Sequence, residues 1–185
     1  YATGMFGKWH LGDHFPYRPQ DRGFDEVFCL KGGAIGITAD YWNNDCFDDH
    51  YYHNEVATQT KGYCTDVFFE ASSRFIKEQV AAEKPFFAYI APNAPHGPML
   101  APEDDKKPFA DQGWDGNTQG RYGMIKNIDD NFGQLMKKLD EWKLWDNTLV
   151  IFTSDNGPWL SYGDHAGSAG PLREGKGTMF EGGCR

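Results

Sequence analysis

The sequence has no apolar run long enough to cross a membrane. Its longest, Phe86-Phe87-Ala88-Tyr89-Ile90-Ala91 and Leu149-Val150-Ile151-Phe152, fall far short of the roughly twenty residues that a spanning helix needs. It has no block of Lys and Arg either. Its 18 basic residues face 27 acidic ones, for a net charge of −9, which argues against a nucleic-acid surface. Cysteine is scarce: Cys29, Cys46, Cys64 and Cys184 form no CxxC pair. A disulfide-dense scaffold and a zinc ribbon are thereby excluded, and unpaired, half-buried thiols are the plain reading. A phosphate-cradling G-x-x-x-x-G-K-[ST] loop is missing too, because Gly170 is followed by Gly175, Lys176 and then Gly177, which breaks the spacing. The chain opens at Tyr1 without a basic and then apolar leader, and it stops just after Gly182-Gly183. It reads as an internal piece of a longer protein, so the missing leader says nothing about compartment.

What is present reads as an ordinary globular chain. Its 185 residues have room for about one domain. At 39% hydrophobic and 16% aromatic the chain can build a large core in spite of a mean hydropathy of −0.66. Residues 2–6 are a short apolar stretch before Gly7 and predict a short strand. Residues 12–64 are rich in Gly, Asp, Asn, Tyr and His without sustained periodicity, and predict a long irregular, functional loop. Thr65 is placed to cap a helix, with Asp66 in its first turn. Val67, Phe68, Ala71, Phe75, Ile76 and Val80 then recur at helical spacing. Residues 86–91 predict a buried strand, and 92–120 a loop. A second helix is expected over about 121–143, with Ile125, Ile128, Phe132, Leu135, Met136, Leu139 and Trp142 as its apolar stripe. Residues 148–153 predict another buried strand. Strands alternating with helices point to an α/β fold with a parallel sheet.

In open α/β sheets, ligands bind beyond the carboxyl ends of the strands. Three polar segments share that edge: Gly7-Lys8-Trp9-His10, Pro95-His96-Gly97-Pro98 and Asp155-Asn156-Gly157. Alone, Asp-Asn-Gly is a turn sequence. At a strand end, its carboxylate and amide oxygens are two hard ligands, suited to Ca²⁺ or Mg²⁺ rather than zinc. His96 is flanked by prolines that stiffen its backbone; an isolated loop histidine would merely satisfy local carbonyls. Lys8 and His10 alternate around Trp9 and share one face if the segment is extended. Lys176 lies in Gly175-Lys176-Gly177-Thr178, either solvated or free to approach an anion. Asp45, Asp48, Asp49, His50 and His53 could hold a metal, but their irregular spacing favours a solvated loop. Asp129-Asp130 reads as helix surface. Two lysines, two histidines and a hard-metal pair in an acidic chain suggest a small anionic substrate, whose charge they would stabilise during transfer.

At these residues the sequence resembles the sulfatase family, and closely the bacterial arylsulfatases. Gly7-Lys8-Trp9-His10-Leu11-Gly12 matches one signature of that family. Phe86 through Pro98, Asn147 through Pro158 and Leu172 through Arg185 resemble three further segments in family order. The resemblance implies an alkaline-phosphatase-like α/β/α sandwich with a mainly parallel sheet, incomplete at both ends. Residues 1–185 would be the central part of a single catalytic domain. It implies hydrolysis of sulfate esters by a formylglycine made from Cys or Ser in a C/S-x-P/A-x-R motif. Asp155 and Asn156 would ligate Ca²⁺ or Mg²⁺. Lys8 would bridge the formylglycine and the sulfate, and His10 would serve the formylglycine hydroxyl. His96 and Lys176 would hold the sulfate and assist the leaving oxygen. The substrate would be a sulfated small molecule or glycan, and the location periplasmic or secreted; nothing bears on oligomeric state. No cysteine here is followed by the formylglycine pattern, so the nucleophile and the other metal aspartates are expected upstream, and a C-terminal subdomain beyond. A phosphodiesterase or phosphonate hydrolase of the same superfamily, or an inactive binder of sulfated glycans, are the alternative readings.

Overall fold

A computed structural model describes residues 1–184. Five strands form one sheet in the order β4-β3-β2-β1-β5: β1 Ala2–Lys8, β2 Glu26–Leu30, β3 His50–His53, β4 Val56–Gln59 and β5 Phe86–Ala91. The apolar residues 2–6 make β1, which pairs in parallel with β2 on one side and β5 on the other. Helix α1 (Cys64–Ala81) crosses from the β4 edge to β5, giving the expected parallel α/β unit.

The region 12–64 departs from expectation. It is not one irregular loop, since it holds β2 and the antiparallel pair β3–β4. The turn between β3 and β4 runs through Asn54 and Glu55, both at positive φ (45° and 74°). A two-residue turn of that hand usually carries Asn-Gly. Glu at the second position hides it from a sequence reading.

Alternation sorts the sheet into two faces. Phe6, Phe28 and Leu30 enter the main core, where Phe68, Phe75 and Ile76 of α1 meet them. Tyr51 packs its ring 4.7 Å from Phe68 within the same core. Met5, Val27 and Cys29 form a second cluster on the opposite face, beneath Trp9, Phe24 and Tyr52. Helix α1 begins one residue before the expected cap: Tyr63 is its N-cap, and Thr65 is fully buried within the first turn. A short helix α2 (Glu103–Lys106) and a 3-10 turn (Lys107–Gln112) occupy part of the expected loop. Helix α3 (Gly116–Glu141) starts earlier than the apolar pattern indicates, because Asp115 caps it by accepting from Asn117 N at 2.8 Å and Thr118 N at 3.2 Å. Its buried side is also rotated: Met124 and Asn127 are buried, whereas Ile125 is exposed. A last turn, α4, spans Glu181–Cys184.

Two expected strands need correction. β5 forms, but as an edge strand: Phe86, Ala88 and Ile90 lean on the core while Phe87 and Tyr89 are exposed. Residues 148–153 are not a strand of this sheet, and Leu149, Ile151 and Phe152 stand exposed at 85%, 75% and 72%. An apolar run becomes a buried strand only when ladder partners satisfy its backbone, and among the described residues none lies beside this segment. Phe152 instead meets Phe132 of α3 at 5.3 Å.

Gly7 holds β1 against β5. It sits at φ 111°, and a Cβ there would lie 2.1 Å from the Ala91 carbonyl oxygen. Gly7→Ala should lower unfolding stability by roughly 2–4 kcal/mol. The measurement is the urea midpoint at unchanged m-value; an unmoved midpoint would mean that the two strands do not approach this closely.

Candidate active site

The strands β1 and β5 end on one rim, and the chain turns sharply after each. Beyond Lys8, Trp9 is pinned by its indole N–H, which donates to Tyr17 O at 2.8 Å, and by an edge-on contact with Phe24. His10 then takes φ 57°. The extended geometry that would point Lys8 and His10 to one face is therefore lost at His10. Its ring lies over Gly33, where a Cβ would come within 2.5 Å of Nε2. Gly33 makes room for His10, a role that the sequence reading did not find.

The segment after β5 bends through cis peptides at Ala94-Pro95 and Gly97-Pro98, with His96 between them. Asn93, also missed from sequence, anchors it. Asn93 is buried, its Oδ1 accepts from Ile35 N at 3.2 Å, and its carbonyl accepts from His96 N at 2.9 Å. The only sequence signal for Asn93 is a polar residue inside a proline-rich run, where a loop needs internal hydrogen bonds. His96 Nδ1 lies 2.9 Å from Gly97 O. A carbonyl only accepts, so Nδ1 carries the proton and Nε2 is left free in the neutral ring.

The third segment is an irregular loop, not a strand end. Ser154 organises it, donating to Asn156 O at 2.6 Å and accepting from Asn156 N at 3.3 Å. The Lys176 loop is stitched onto it: Gly157 N donates to Gly183 O at 3.1 Å and Lys176 N to Pro158 O at 2.8 Å. Lys176 Nζ lies 5.6 Å from the centroid of the Trp159 ring.

These supports bring four of the six expected residues together. Lys8 Nζ lies 3.6 Å from Asp155 Oδ2, with the Lys8 side chain 14% exposed and that of Asp155 64%. His96 is close enough to feel Lys176, Lys8 and Asp155. Asn156 follows Asp155 on the same loop. No hydrogen bond or ion pair joins His10 to this group among the described residues. Among the described residues, 45–53 included, no group of three acidic, His or Cys ligands is brought together. Residues 45–53 are not the expected solvated loop, however. Asp49 is buried and accepts from Asp45 N, Cys46 N and the Tyr51 hydroxyl. His50 stacks on Tyr41, and His53 pairs with Glu26 at 2.6 Å. Asp129 and Asp130 are on the helix surface as expected.

The donor set at Asp155-Asn156 is hard and adjacent, which fits an alkaline-earth ion. It supplies two residues where Ca²⁺ takes six to eight oxygens, so alone it could not complete a site for the ion.

Burial pushes the His96 pKa below its usual value, and the nearby Lys176 and Lys8 ammonium groups push the same way against the Gly97 hydrogen bond. The folded chain therefore prefers neutral His96. Its contribution to stability is fully present above the unfolded value of about 6.5 and is lost as pH falls from there toward the folded pKa, because the unfolded chain takes up the proton first. An NMR titration should find the His96 midpoint below that of a free histidine. An oxyanion seated among the cations should raise it. A midpoint at or above the free value, unmoved by sulfate, would contradict the cluster.

The parallel strands β2-β1-β5 with α1 packed on them define an alkaline-phosphatase-like α/β protein. The chain belongs to the sulfatase family, which it matches over residues 1–185. It is 36% identical to human N-acetylgalactosamine-6-sulfatase over 197 residues, spanning 100% of this chain and 36% of the relative. With human arylsulfatase G it shares 30% identity over 222 residues, spanning 100% of this chain and 41% of that protein. The crystal structure of Ps i-CgsB in complex with k-i-k-neocarrahexaose superposes with a TM-score of 0.86 at 32% identity, covering 100% of this chain and 43% of the other. The chain thus spans well under half the length of the relatives that it matches.

Proposed function

We propose that residues 1–185 are the central part of one catalytic domain, and that the whole protein hydrolyses sulfate esters on a saccharide. The observation that carries this reading is the Lys8–Asp155 pair at 3.6 Å, whose charges, with that of Lys176, act on His96. The relatives named for N-acetylgalactosamine-6-sulfate and for a carrageenan hexaose complex support a sulfated sugar as substrate. In this reading Lys8 turns from Asp155 to a sulfate oxygen when substrate enters. Lys176 neutralises a second oxygen. His96 takes up a proton on Nε2 as the anion binds, and donates it to the departing sugar oxygen. His10 stands by for the nucleophile's hydroxyl from its seat on Gly33. Asp155 and Asn156 would hold Ca²⁺ or Mg²⁺ together with ligands from other parts of the protein, and the ion would draw charge from the sulfate. A formylglycine outside these residues would supply the nucleophilic hydroxyl. No described helix is long and apolar enough to cross a membrane, and a periplasmic or secreted location suits substrates of this kind.

The test is an assay of the whole protein, with Ca²⁺, on a sulfated oligosaccharide, a chromogenic aryl sulfate and an aryl phosphodiester. Faster turnover of the sulfates is expected. Preference for the phosphodiester would assign the protein to the other hydrolases of the superfamily. Tight saccharide binding without turnover would make it an inactive binder.

A further inference from the structure

We propose that Cys46 and Cys64 are joined by a disulfide that closes the segment between them. Phe47 and Tyr63 form a single antiparallel bridge. It is flanked by Cys64 N donating to Cys46 O at 2.9 Å and by Asp48 N donating to Gly62 O at 3.0 Å. Cys46 therefore stands opposite Cys64, just as Phe47 stands opposite Tyr63. The Phe47 and Tyr63 rings meet at 5.2 Å. Cys46 leaves the extended range at φ 82°, and both cysteines are 0% exposed in the main core that Tyr63 shares.

Residues directly opposite in an antiparallel pair hold their Cβ atoms roughly 4.5–5.5 Å apart. A disulfide needs roughly 3.5–4.5 Å, and a pair that shares a backbone hydrogen bond stands at the wide end of the first range, so closure asks for an approach of about 1–2 Å. Both are free thiols in the structure, and the neighbouring Cys64 thiol, ahead of burial, pushes the Cys46 pKa up. The other two cysteines are elsewhere. Cys29 lies in the cluster on the opposite sheet face, and Cys184 is exposed in the last helical turn.

Closure takes two exchanges with a protein or low-molecular-weight disulfide. The thiolate of one cysteine attacks the donor S–S bond, releases one donor thiolate and leaves a mixed disulfide. The second cysteine's thiolate then attacks the sulfur of the first and releases the other donor thiolate. The two protons lost by the cysteines end on the two released thiols; the cysteines are oxidised and the donor is reduced. Burial makes both thiols inert in the folded chain, so the exchange belongs to folding, before α1 docks. In the cell this rests on the location outside the cytosol proposed above.

The experiment does not depend on that location. The whole protein is reduced, unfolded, refolded in a glutathione redox buffer, alkylated under denaturing conditions without reductant, and mapped by mass spectrometry. The expected product is one peptide pair linked through Cys46 and Cys64, lighter by about 2 Da than the two reduced peptides together, with Cys29 and Cys184 alkylated. Reductant should lower the apparent Tm by roughly 5–10 °C, and a Cys46→Ser/Cys64→Ala variant should lose that response. Alkylation of both Cys46 and Cys64 in the refolded protein, or a link from either one to Cys29 or Cys184, overturns the proposal. Sulfate-ester turnover is read separately: a linked but inactive protein sinks the functional reading alone, and an active protein with four alkylated thiols sinks the disulfide alone.

Discussion

Turnover of a sulfate ester by the whole protein should fall by on the order of 10²–10⁴-fold in His96→Ala, the usual scale for loss of a general acid–base group. Lys176→Ala should cost a similar factor, because an ammonium aimed at developing charge in a water-poor site acts mainly on the transition state. His50→Ala is the contrast. Its ring stacks on Tyr41 at 4.3 Å, away from the rim residues, and turnover should change by less than about threefold, as expected of a group outside the chemistry. The pH–rate profile adds a readout that a folding defect would not produce. The wild-type dependence on protonated His96 disappears in His96→Ala. Loss of turnover in His50→Ala with His96→Ala unaffected would move the site from the β1–β5 rim to the β3 region.

Residues 1–185 by themselves should show no sulfate-ester turnover. Lys8, His96 and Lys176 can position and polarise a sulfate, but none is an activated nucleophile for a covalent route. The four cysteines lack the formylglycine pattern, and three of them are buried. Asp155 and Asn156 also offer too few oxygens for tight Ca²⁺ binding. Calorimetry should therefore find weak Ca²⁺ binding by the short chain and tight binding by the whole protein. The exposed edge strand β5, with Phe87 and Tyr89 in solvent, is a template for aggregation, and Leu149, Ile151 and Phe152 add exposed apolar surface. Low solubility of the short chain is expected for that reason. Metal-dependent turnover by the short chain at a rate comparable to that of the whole protein would place the nucleophile within these residues and end the mechanism proposed above.

The sequence places Lys8, His96 and Asp155 on one rim because each follows an apolar run, and parallel strands end on one side of a sheet. Lys8 and Asp155 meet at 3.6 Å, although residues 148–153 are not a strand here. The seat of His10 is not legible, because a positive φ cannot be read from the residue type and the space that admits the ring belongs to Gly33, 23 positions away. The helix stripes are legible because a period of 3.6 residues is local. Their starts are not: Asp115 caps α3, and Tyr63 holds the N-cap position of α1 without a side-chain hydrogen bond, while the glycines at 116, 120 and 123 blur the apolar pattern.

By itself, the sequence determined the family signatures, the α/β class, the two long helices and the short strand β1. Each of these is written in neighbouring residues or in short periodicities. The tertiary structure alone decided the order β4-β3-β2-β1-β5, the exposure of residues 148–153, the Lys8–Asp155 pair and the meeting of Cys46 with Cys64. Strand pairing, burial and Coulomb interactions depend on distances in space between residues far apart in the chain. An apolar run carries no record of whether a partner strand lies beside it, and a charged side chain carries none of which opposite charge will come within reach.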